Sequence, residues 1–204
     1  MRSRLYFLIA FLIFPYIFLS ESESDNKTGS IRGKVQVLSS GNPANVVVYI
    51  KNTGNMNFPP PEKHAIMDQK NLTFIPHILP VLKGTTVDFL NSDHVKHNVF
   101  SPDRIARRFN LGTYGKGEKR SHTFNKAGDA VILCNVHPEM EAYVVVLPNP
   151  FFAITDEEGY FHIKNVPAGQ YTIRTWHEKL RGISKKITVE SGKTTQLHII
   201  LKER

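Results

Sequence analysis

The chain has 204 residues, enough to fold as one large domain or as two small domains that each bury a core. It carries 26 basic and 18 acidic residues, a net charge of +8, and its single cysteine excludes an intramolecular disulfide framework. The basic residues are dispersed and not interleaved with aromatic residues as in nucleic-acid binding, so the charge fits an acidic protein partner, anionic lipid or simple solubility.

The N-terminal residues indicate export. Fifteen apolar residues, Leu5 to Leu19, follow Arg2 and Arg4. Such a run is typical of a secretory signal and short for a membrane span, so residues 1–20 are predicted to be a signal peptide of a periplasmic or secreted protein. The cleavage motif is poor, which leaves an uncleaved membrane anchor as the alternative. Without this segment the chain has 24 basic and 18 acidic residues, a net charge of +6.

Residues 21–30 are polar and contain Gly and Ser, which predicts a flexible leader before the first strand. From Ile31 onward, short apolar runs alternate with turn residues, and this pattern predicts strands rather than helices. In the first part of the chain the predicted strands are IRGKVQVL (31–38), NVVVYIK (45–51), NLTFI (71–75), GTTVDFL (84–90), HNVF (97–100), SHTF (121–124), AVILC (130–134) and AYVVVL (142–147).

The C-terminal part continues in the same way. Its predicted strands are FFAIT (151–155), YFHI (160–163), QYTIRTW (170–176), KKITV (185–189) and QLHIIL (196–201). No stretch after Ser30 keeps a helical period over three turns, so the predicted fold class is all-β, with two sandwich or barrel units. Proline clusters at residues 58–61 and 148–150 indicate the boundaries between them.

Three potential metal ligands lie close together around one loop. Cys134 ends the predicted strand AVILC, and NVHPEM, with His137 and Met140, leads to the next strand. A tight loop can wrap such donors around one point, whereas an extended strand cannot. Thiolate and thioether with imidazole select copper, and a blue-copper site needs one further imidazole. The segment NSDHVKHNVF offers it as His94 or His97.

These residues resemble a known family. The run FIPHILPVLKGTTVDFLNSDHVKHNVF, together with CNVHPEM, is similar to the cupredoxins, small blue-copper electron carriers such as plastocyanin and amicyanin. The resemblance covers about residues 71–147 and implies a cupredoxin domain at residues 63–148 with one copper ion. It implies the metal ligands His97, Cys134, His137 and Met140. Asn98 is expected to tie the two ligand segments together, and His94 falls where the family has no ligand.

Other interpretations of these residues are a zinc site, a catalytic dyad and ordinary packing. A structural zinc site rarely uses Met and usually takes more Cys or His from paired short spacings. A nucleophilic dyad of Cys134 and His137 lacks an orienting third group and an oxyanion motif. Taken singly, a buried Cys or a loop Met is ordinary packing. The remaining histidines are scattered and are expected at the surface or hydrogen-bonded in the core: His64, His77, His122, His162, His177 and His198.

A second resemblance concerns the C-terminal part. The run FAITDEEGYFHIKNVPAGQYTIRTWHEKL resembles the carboxypeptidase regulatory-like domain, a transthyretin-like β-sandwich without catalytic residues. The segment IRGKVQVLSSGNPANVVVYIK (31–51) looks like its two opening strands, which implies a discontinuous sandwich of residues 31–62 and 149–204 around the cupredoxin. A competing assignment gives residues 45–51 to the cupredoxin. Tyr171 and Trp176 are expected to pack in the sandwich core.

The expected function is that of an exported mononuclear copper protein that carries single electrons between redox protein partners. It is not expected to be an enzyme or to bind nucleic acid, and it would contact a membrane only if the N-terminal segment stays uncleaved. By resemblance, the electron would leave through His137, beside Val136 and Pro138. Two alternatives remain: copper delivery or sensing on the same fold, and a structural sandwich whose metal only stabilises it.

Overall fold

The computed structural model describes residues 28–38 and 41–204. These residues form β-strands and no α-helix, which confirms the predicted all-β class. No helix in this part of the chain is long and apolar enough to cross a membrane. The strands in chain order are β1 (Thr28–Val37), β2 (Val47–Ile50), β3 (Ala65–Lys70), β4 (Thr73–Ile75), β5 (Ile78–Leu82), β6 (Thr86–Asn91), β7 (His97–Ser101), β8 (Phe109–Tyr114), β9 (Lys119–Thr123), β10 (Gly128–Leu133), β11 (Glu141–Leu147), β12 (Phe152–Ile154), β13 (Tyr160–Pro167), β14 (Gly169–Trp176), β15 (Leu180–Arg181), β16 (Ser184–Val189) and β17 (Thr194–Glu203).

Strands from the two ends of the described chain form one sandwich, the terminal sandwich. One of its sheets has the order β13-β1-β17-β15, and the other has the order β12-β2-β14-β16. β1 pairs in parallel with β17 and antiparallel with β13, so segments far apart in sequence close this unit. Alternate residues of both sheets meet in an apolar core that includes Ile31, Val48, Phe161, Ile173 and Ile199.

The chain between β2 and β12 forms the inserted sandwich. Its sheets have the orders β4-β3-β6-β9 and β5-β11-β10-β7-β8. The core between them contains Met67, Phe89, Phe124, Ile132 and Val144. Because β7 and β10 are antiparallel neighbours, the start of β7 and the end of β10 lie at the same end of the sandwich. This arrangement brings the two predicted ligand segments together.

A smaller apolar cluster joins the two sandwiches. Val47 of β2 packs there with Ile78 of β5 and with Val145 and Leu147 of β11. Val48, the next residue of β2, belongs instead to the core of the terminal sandwich. Since successive strand residues point to opposite faces, the β12-β2-β14-β16 sheet is covered on both sides. The two sandwiches therefore stack sheet against sheet, and the β13-β1-β17-β15 sheet forms the outermost layer.

The two aromatic residues predicted for the sandwich core lie in different places. Tyr171 is buried in the core of the terminal sandwich, as predicted. Trp176 packs on the opposite face of its sheet, against the cluster between the sandwiches, and its ring centroid lies 5.4 Å from that of Tyr143. The prediction for Trp176 is therefore wrong, because a neighbouring sandwich covers what would otherwise be an outer face.

Strand pairing also decides one assignment that the sequence left open and corrects the predicted end of the leader at residue 30. β2 pairs with β12 and β14, so residues 47–50 belong to the terminal sandwich. β1 begins at Thr28 rather than at Ile31, because Thr28 lies opposite Pro167 and the Ser30 amide donates to the Lys193 carbonyl at 3.0 Å. The predicted signal peptide (1–20) and the leader residues 21–27 lie outside the described residues.

Candidate metal centre

Three of the predicted ligands converge at one end of the inserted sandwich. His97 is the first residue of β7, Cys134 directly follows β10, and His137 lies in the next loop. One ligand atom from each, an imidazole nitrogen from both histidines and the Cys134 sulfur, lies within 4.8 Å of the others. The two Nδ1 atoms, of His97 and His137, are 3.0 Å apart. The structure thus brings His97 together with two donors that lie 37 and 40 positions later in the chain.

The donor set fits a single metal ion. Metal–imidazole bonds are about 2.0 Å long, so two nitrogens sharing one ion can lie 3.0 Å apart. Two imidazoles and one thiolate are the in-plane ligands of a blue-copper site, in which a weak thioether takes the axial position. His97, His137 and Cys134 would hold such an ion through Nδ1, Nδ1 and Sγ, respectively.

The ring nitrogen of His97 that faces away from His137 contacts the carboxylate of Asp93, which was not among the predicted site residues. The His97 imidazole is fully buried, and Nε2 lies 2.8 Å from Oδ2 of Asp93. This contact directs Nδ1 toward His137, since a carboxylate on one ring nitrogen orients the other for a metal. The only signal for it in the sequence is a carboxylate four positions before His97 in the same loop.

Asp93 is itself fixed by the preceding hairpin turn. The backbone amides of Asn71 and Leu72 donate to its two carboxylate oxygens at 2.7 and 3.0 Å. Both residues have positive φ angles, of 55° and 57°, which turn their amides toward Asp93. Burial acts to raise the pKa of Asp93, but the hydrogen bonds from Leu72, His97 and Asn71 outweigh it and lower the pKa. The carboxylate is therefore held in its charged form.

Cys134 is a buried free thiol that is tied to the His97 segment. The backbone amide of Asn98 lies 3.4 Å from Sγ as a donor. The Asn98 side chain accepts from the amide of Asn135 at 3.4 Å and donates to Oδ1 of Asn110 at 2.8 Å. Asn98 therefore links β7 to the residue after Cys134, which confirms its predicted tie between the ligand segments. Asn110 extends this link to β8 and was not predicted.

Met140 closes the loop that carries His137. Its backbone amide donates to the His137 carbonyl at 3.0 Å, and its side chain is buried in the same apolar cluster as Cys134. The loop also offers two carboxylates as alternatives to Met140. Glu139 is exposed, and Glu141 accepts from the Tyr143 hydroxyl at 2.8 Å. Burial favours Met140 over either carboxylate, and its role as the axial ligand stays a prediction.

Several exposed apolar side chains lie at the outer edge of the centre. His137 is half-buried, and its neighbour Val136 is 46% exposed. Val95, two residues after Asp93, and Leu72, whose amide donates to Asp93, are also exposed. The imidazole of His137 thus lies closer to solvent than that of His97, at the end of the sandwich where these side chains project.

The remaining histidines lie apart from the donors. His94 is exposed, and its Nε2 is 3.0 Å from Nζ of Lys116, so it is separated from the cluster as predicted. His77 lies at the contact between the sandwiches, 2.9 Å from Glu178. His122 stacks on Phe109, and burial lowers the pKa of its imidazole. Within the described residues, no other group of three or more His, Cys, Asp or Glu side chains forms a metal cluster.

Residues 61–147 match the family described as copper binding proteins, plastocyanin/azurin family. These residues form a cupredoxin-like copper-binding domain. Residues 149–197 match a different family from the one predicted, described as polysaccharide lyase family 4, domain II. No curated protein matches the chain.

Several solved structures are similar to part of the chain. A reduced Cu(I) form of an amicyanin mutant is 26% identical, covers 42% of this chain and 84% of its own, and has a TM-score of 0.39. A Cu(I) form of another amicyanin mutant is 27% identical over 41% of this chain and 81% of its own, and its TM-score is also 0.39. A copper-containing nitrite reductase from Thermus scotoductus SA-01 is 24% identical over 49% of this chain and 25% of its own, with a TM-score of 0.41.

Proposed function

We propose that the chain is an exported blue-copper protein that carries single electrons between redox protein partners. The proposal includes one copper ion per chain, which His97, Cys134, His137 and Met140 would hold. It assigns no catalytic reaction to the chain. The copper-binding family match over residues 61–147 supports the metal, and the site geometry supports the electron-carrier role.

The observation that carries the proposal is the rigid support of the donors. His97 is fully buried and fixed by Asp93, whose carboxylate is fixed by two backbone amides. Cys134 is buried and receives the Asn98 amide. When bound, a copper ion supplies a one-electron couple between Cu(I) and Cu(II). Ligands that cannot move keep the geometry similar in both oxidation states, which is what fast electron transfer requires.

The surface around His137 supports exchange with a partner. His137 lies between the buried donors and the protein exterior, and Val136, Val95 and Leu72 are exposed in the loops at that end. An apolar rim can be desolvated when another protein docks, which brings the partner close to the imidazole. In this proposal the electron enters and leaves through His137, while His97 and Cys134 stay shielded from water.

The terminal sandwich is proposed to be a carboxypeptidase regulatory-like module that acts as a scaffold. Its support is the discontinuous pairing of β1 and β2 with β12 to β17 around the inserted sandwich. The apolar cluster that contains Val47 and Val145 fixes this module to the cupredoxin-like domain. This role requires no reactive side chain in the terminal sandwich.

Voltammetry of the copper-loaded protein tests the electron-carrier role. We expect a reversible one-electron wave and rapid self-exchange between the Cu(I) and Cu(II) forms. Slow exchange together with ready transfer of the metal to a chelator would contradict electron carriage and favour copper delivery. A protein that binds the metal but shows no wave would instead support the purely structural alternative.

A further inference from the structure

The outermost sheet of the molecule has one face that no other part of the described chain covers. Its order is β13-β1-β17-β15, and its inward residues, including Ile31, Val35 and Leu201, fill the core of the terminal sandwich. The alternate residues point outward. Since the cupredoxin-like domain packs on the other sheet of this sandwich, the outward face is turned away from the metal centre.

This outward face, which we call the outer basic face, carries many basic side chains. Its outward residues with basic or titratable side chains are Arg32, Lys34, His162, Lys164, Arg181, His198 and Lys202. The strand register sets Arg32 beside His162 and Gln196, and Lys34 beside Tyr160 and His198. Arg181 lies opposite Lys202.

Among the described residues, no carboxylate lies on the outward positions of these strands. An acidic turn, residues 156–158, precedes β13. Its Asp156 lines the same concavity as Arg32 and Lys34 and accepts a hydrogen bond from the Tyr160 amide at 2.7 Å. The crowding of basic groups is reflected in His162, whose pKa is lowered by burial and by the charges of Arg32 and Lys164. The face therefore complements an anionic partner.

Apolar side chains project from the same face. Tyr160 is 53% exposed and Ile200 is 51% exposed, and Leu38 follows β1 on the outward side with 46% exposure. Lys34 lies over the Tyr160 ring, with Nζ 4.5 Å from the centroid. Cations interspersed with exposed Tyr and aliphatic residues are typical of surfaces that bind at the lipid–water interface, whereas a polyanion in solution needs only the charges.

The position of β1 gives an independent argument. Eight residues, 20–27, separate the apolar run that ends at Leu19 from Thr28, where β1 begins. Eight extended residues span at most about 28 Å, so retention of the apolar run in a bilayer would hold this sheet close to the lipid surface. The basic groups of Arg32 and Lys34 lie four and six residues beyond Thr28.

From these observations we infer that the outer basic face docks on the surface of an anionic lipid bilayer. Docking there leaves the end of the cupredoxin-like domain that carries His137 free for a protein partner. Each basic residue near an anionic membrane strengthens binding by about fivefold, and the five Lys and Arg side chains act together.

Lysine labelling of the full-length chain on vesicles tests this inference. The chain is mixed with vesicles of phosphatidylglycerol and phosphatidylcholine, or of phosphatidylcholine alone, and labelled with an amine-reactive reagent before mass spectrometry. On the anionic vesicles we expect loss of labelling at Lys34, Lys164 and Lys202 at low salt, and its return at high salt. Lys185 and Lys186, exposed on β16 of the other sheet, should label equally on both vesicles.

A pair of double variants completes the test. Arg32→Gln with Lys34→Gln should weaken docking by about 25-fold and so restore labelling at Lys164 and Lys202. Lys185→Gln with Lys186→Gln is the matched control and should leave the protection unchanged. Equal labelling on both vesicles would overturn the inference. So would protection at Lys70 and Lys96 instead, which are exposed residues of the inserted sandwich at the end of β3 and directly before His97. Protection by a soluble acidic polysaccharide but not by the anionic vesicles would overturn it in favour of a glycan partner.

Discussion

The buried imidazole of His97 is hydrogen-bonded to Asp93, with 2.8 Å between Nε2 and Oδ2. This contact leaves Nδ1 as the nitrogen that faces His137. Because the Asp93 carboxylate is held by two backbone amides of the turn at residues 71–72, the orientation of the metal-facing nitrogen depends on a hairpin turn outside both ligand segments.

Replacing Asp93 tests this dependence. Asp93→Asn should weaken Cu(II) binding by about 10- to 100-fold, because the imidazole loses the partner that orients it and raises its basicity. The reduction potential should rise, since a weaker donor favours Cu(I). Competition with a chelator measures the affinity and voltammetry the potential. Asp129→Asn, an exposed carboxylate near the start of β10, is the control, and equal effects of the two variants would contradict the role of Asp93.

The two histidines of the segment NSDHVKHNVF should behave differently. His97→Ala should remove the intense visible band of the copper-loaded protein, because one of the two in-plane imidazoles is lost. His94→Ala should keep the band, since His94 is exposed and contacts Lys116. Absorption spectra of both variants after addition of one equivalent of Cu(II) check this. The reverse result would show that His94, not His97, binds the metal.

Met140 is expected to set the potential without being needed for binding. Met140→Gln should lower the reduction potential, because an amide oxygen is a harder donor than a thioether and stabilises Cu(II). The three in-plane ligands should still hold the metal. Voltammetry of this variant beside Glu139→Gln decides the axial ligand. A potential that Met140→Gln leaves unchanged and Glu139→Gln raises would assign the axial position to Glu139.

Asp88 should stabilise the cupredoxin-like domain near neutral pH and lose this effect in acid. Hydrogen bonds from Lys119, Ser121 and His64, with Lys119 the strongest, hold its pKa well below the usual range against the effect of burial. A carboxyl group whose pKa is lowered on folding adds stability above its unfolded pKa of about 3.9, and this stability is lost as pH falls toward the folded pKa.

The variant Asp88→Asn measures this contribution. At neutral pH it should be less stable than the wild type, and the difference in the free energy of unfolding should shrink steadily as the pH falls below about 5. Urea denaturation of the metal-free proteins at several pH values gives the difference. A difference that stays constant down to acid pH would contradict the stabilising role of the charged form.

Local patterns predicted much of this molecule. Some strands have apolar residues at alternate positions or in an unbroken run. Examples are β10, β11, β14 and β17, and they lie within a few residues of their predicted positions. The convergence of His97, Cys134 and His137 was also predicted. The soft donor set of the loop after Cys134 required one more imidazole, and the resemblance to the cupredoxins assigned it to His97 rather than His94.

The strands that were missed carry residues that local rules disfavour. β5 contains Pro80, which is tolerated because β5 lies at a sheet edge beside β11. β3 is polar at its end because Gln69 is buried and donates to the hydroxyl of Tyr114 at 2.7 Å. β8 contains Gly112 and is also an edge strand. For β5 and β3 the determining contact is distant in sequence.

The same reason explains the misplaced Trp176 and the overlooked Asp93. The burial of Trp176 comes from Tyr143 in the other sandwich, and the strand QYTIRTW alone does not contain that information. Asp93 gains its role from the backbone amides of residues 71–72, some twenty residues earlier. The predicted signal peptide and its cleavage lie outside the described residues and stay predictions.

Titration of the protein with Cu(II), followed by visible absorption, tests the central claim most directly. We predict that an intense band grows to an end point at one ion per chain, because the Cys134 thiolate donates charge to the copper. In Cys134→Ser, folded as judged by circular dichroism, the band should be absent. No band in the wild type, or an equal band in Cys134→Ser, would contradict the assignment of a blue-copper site.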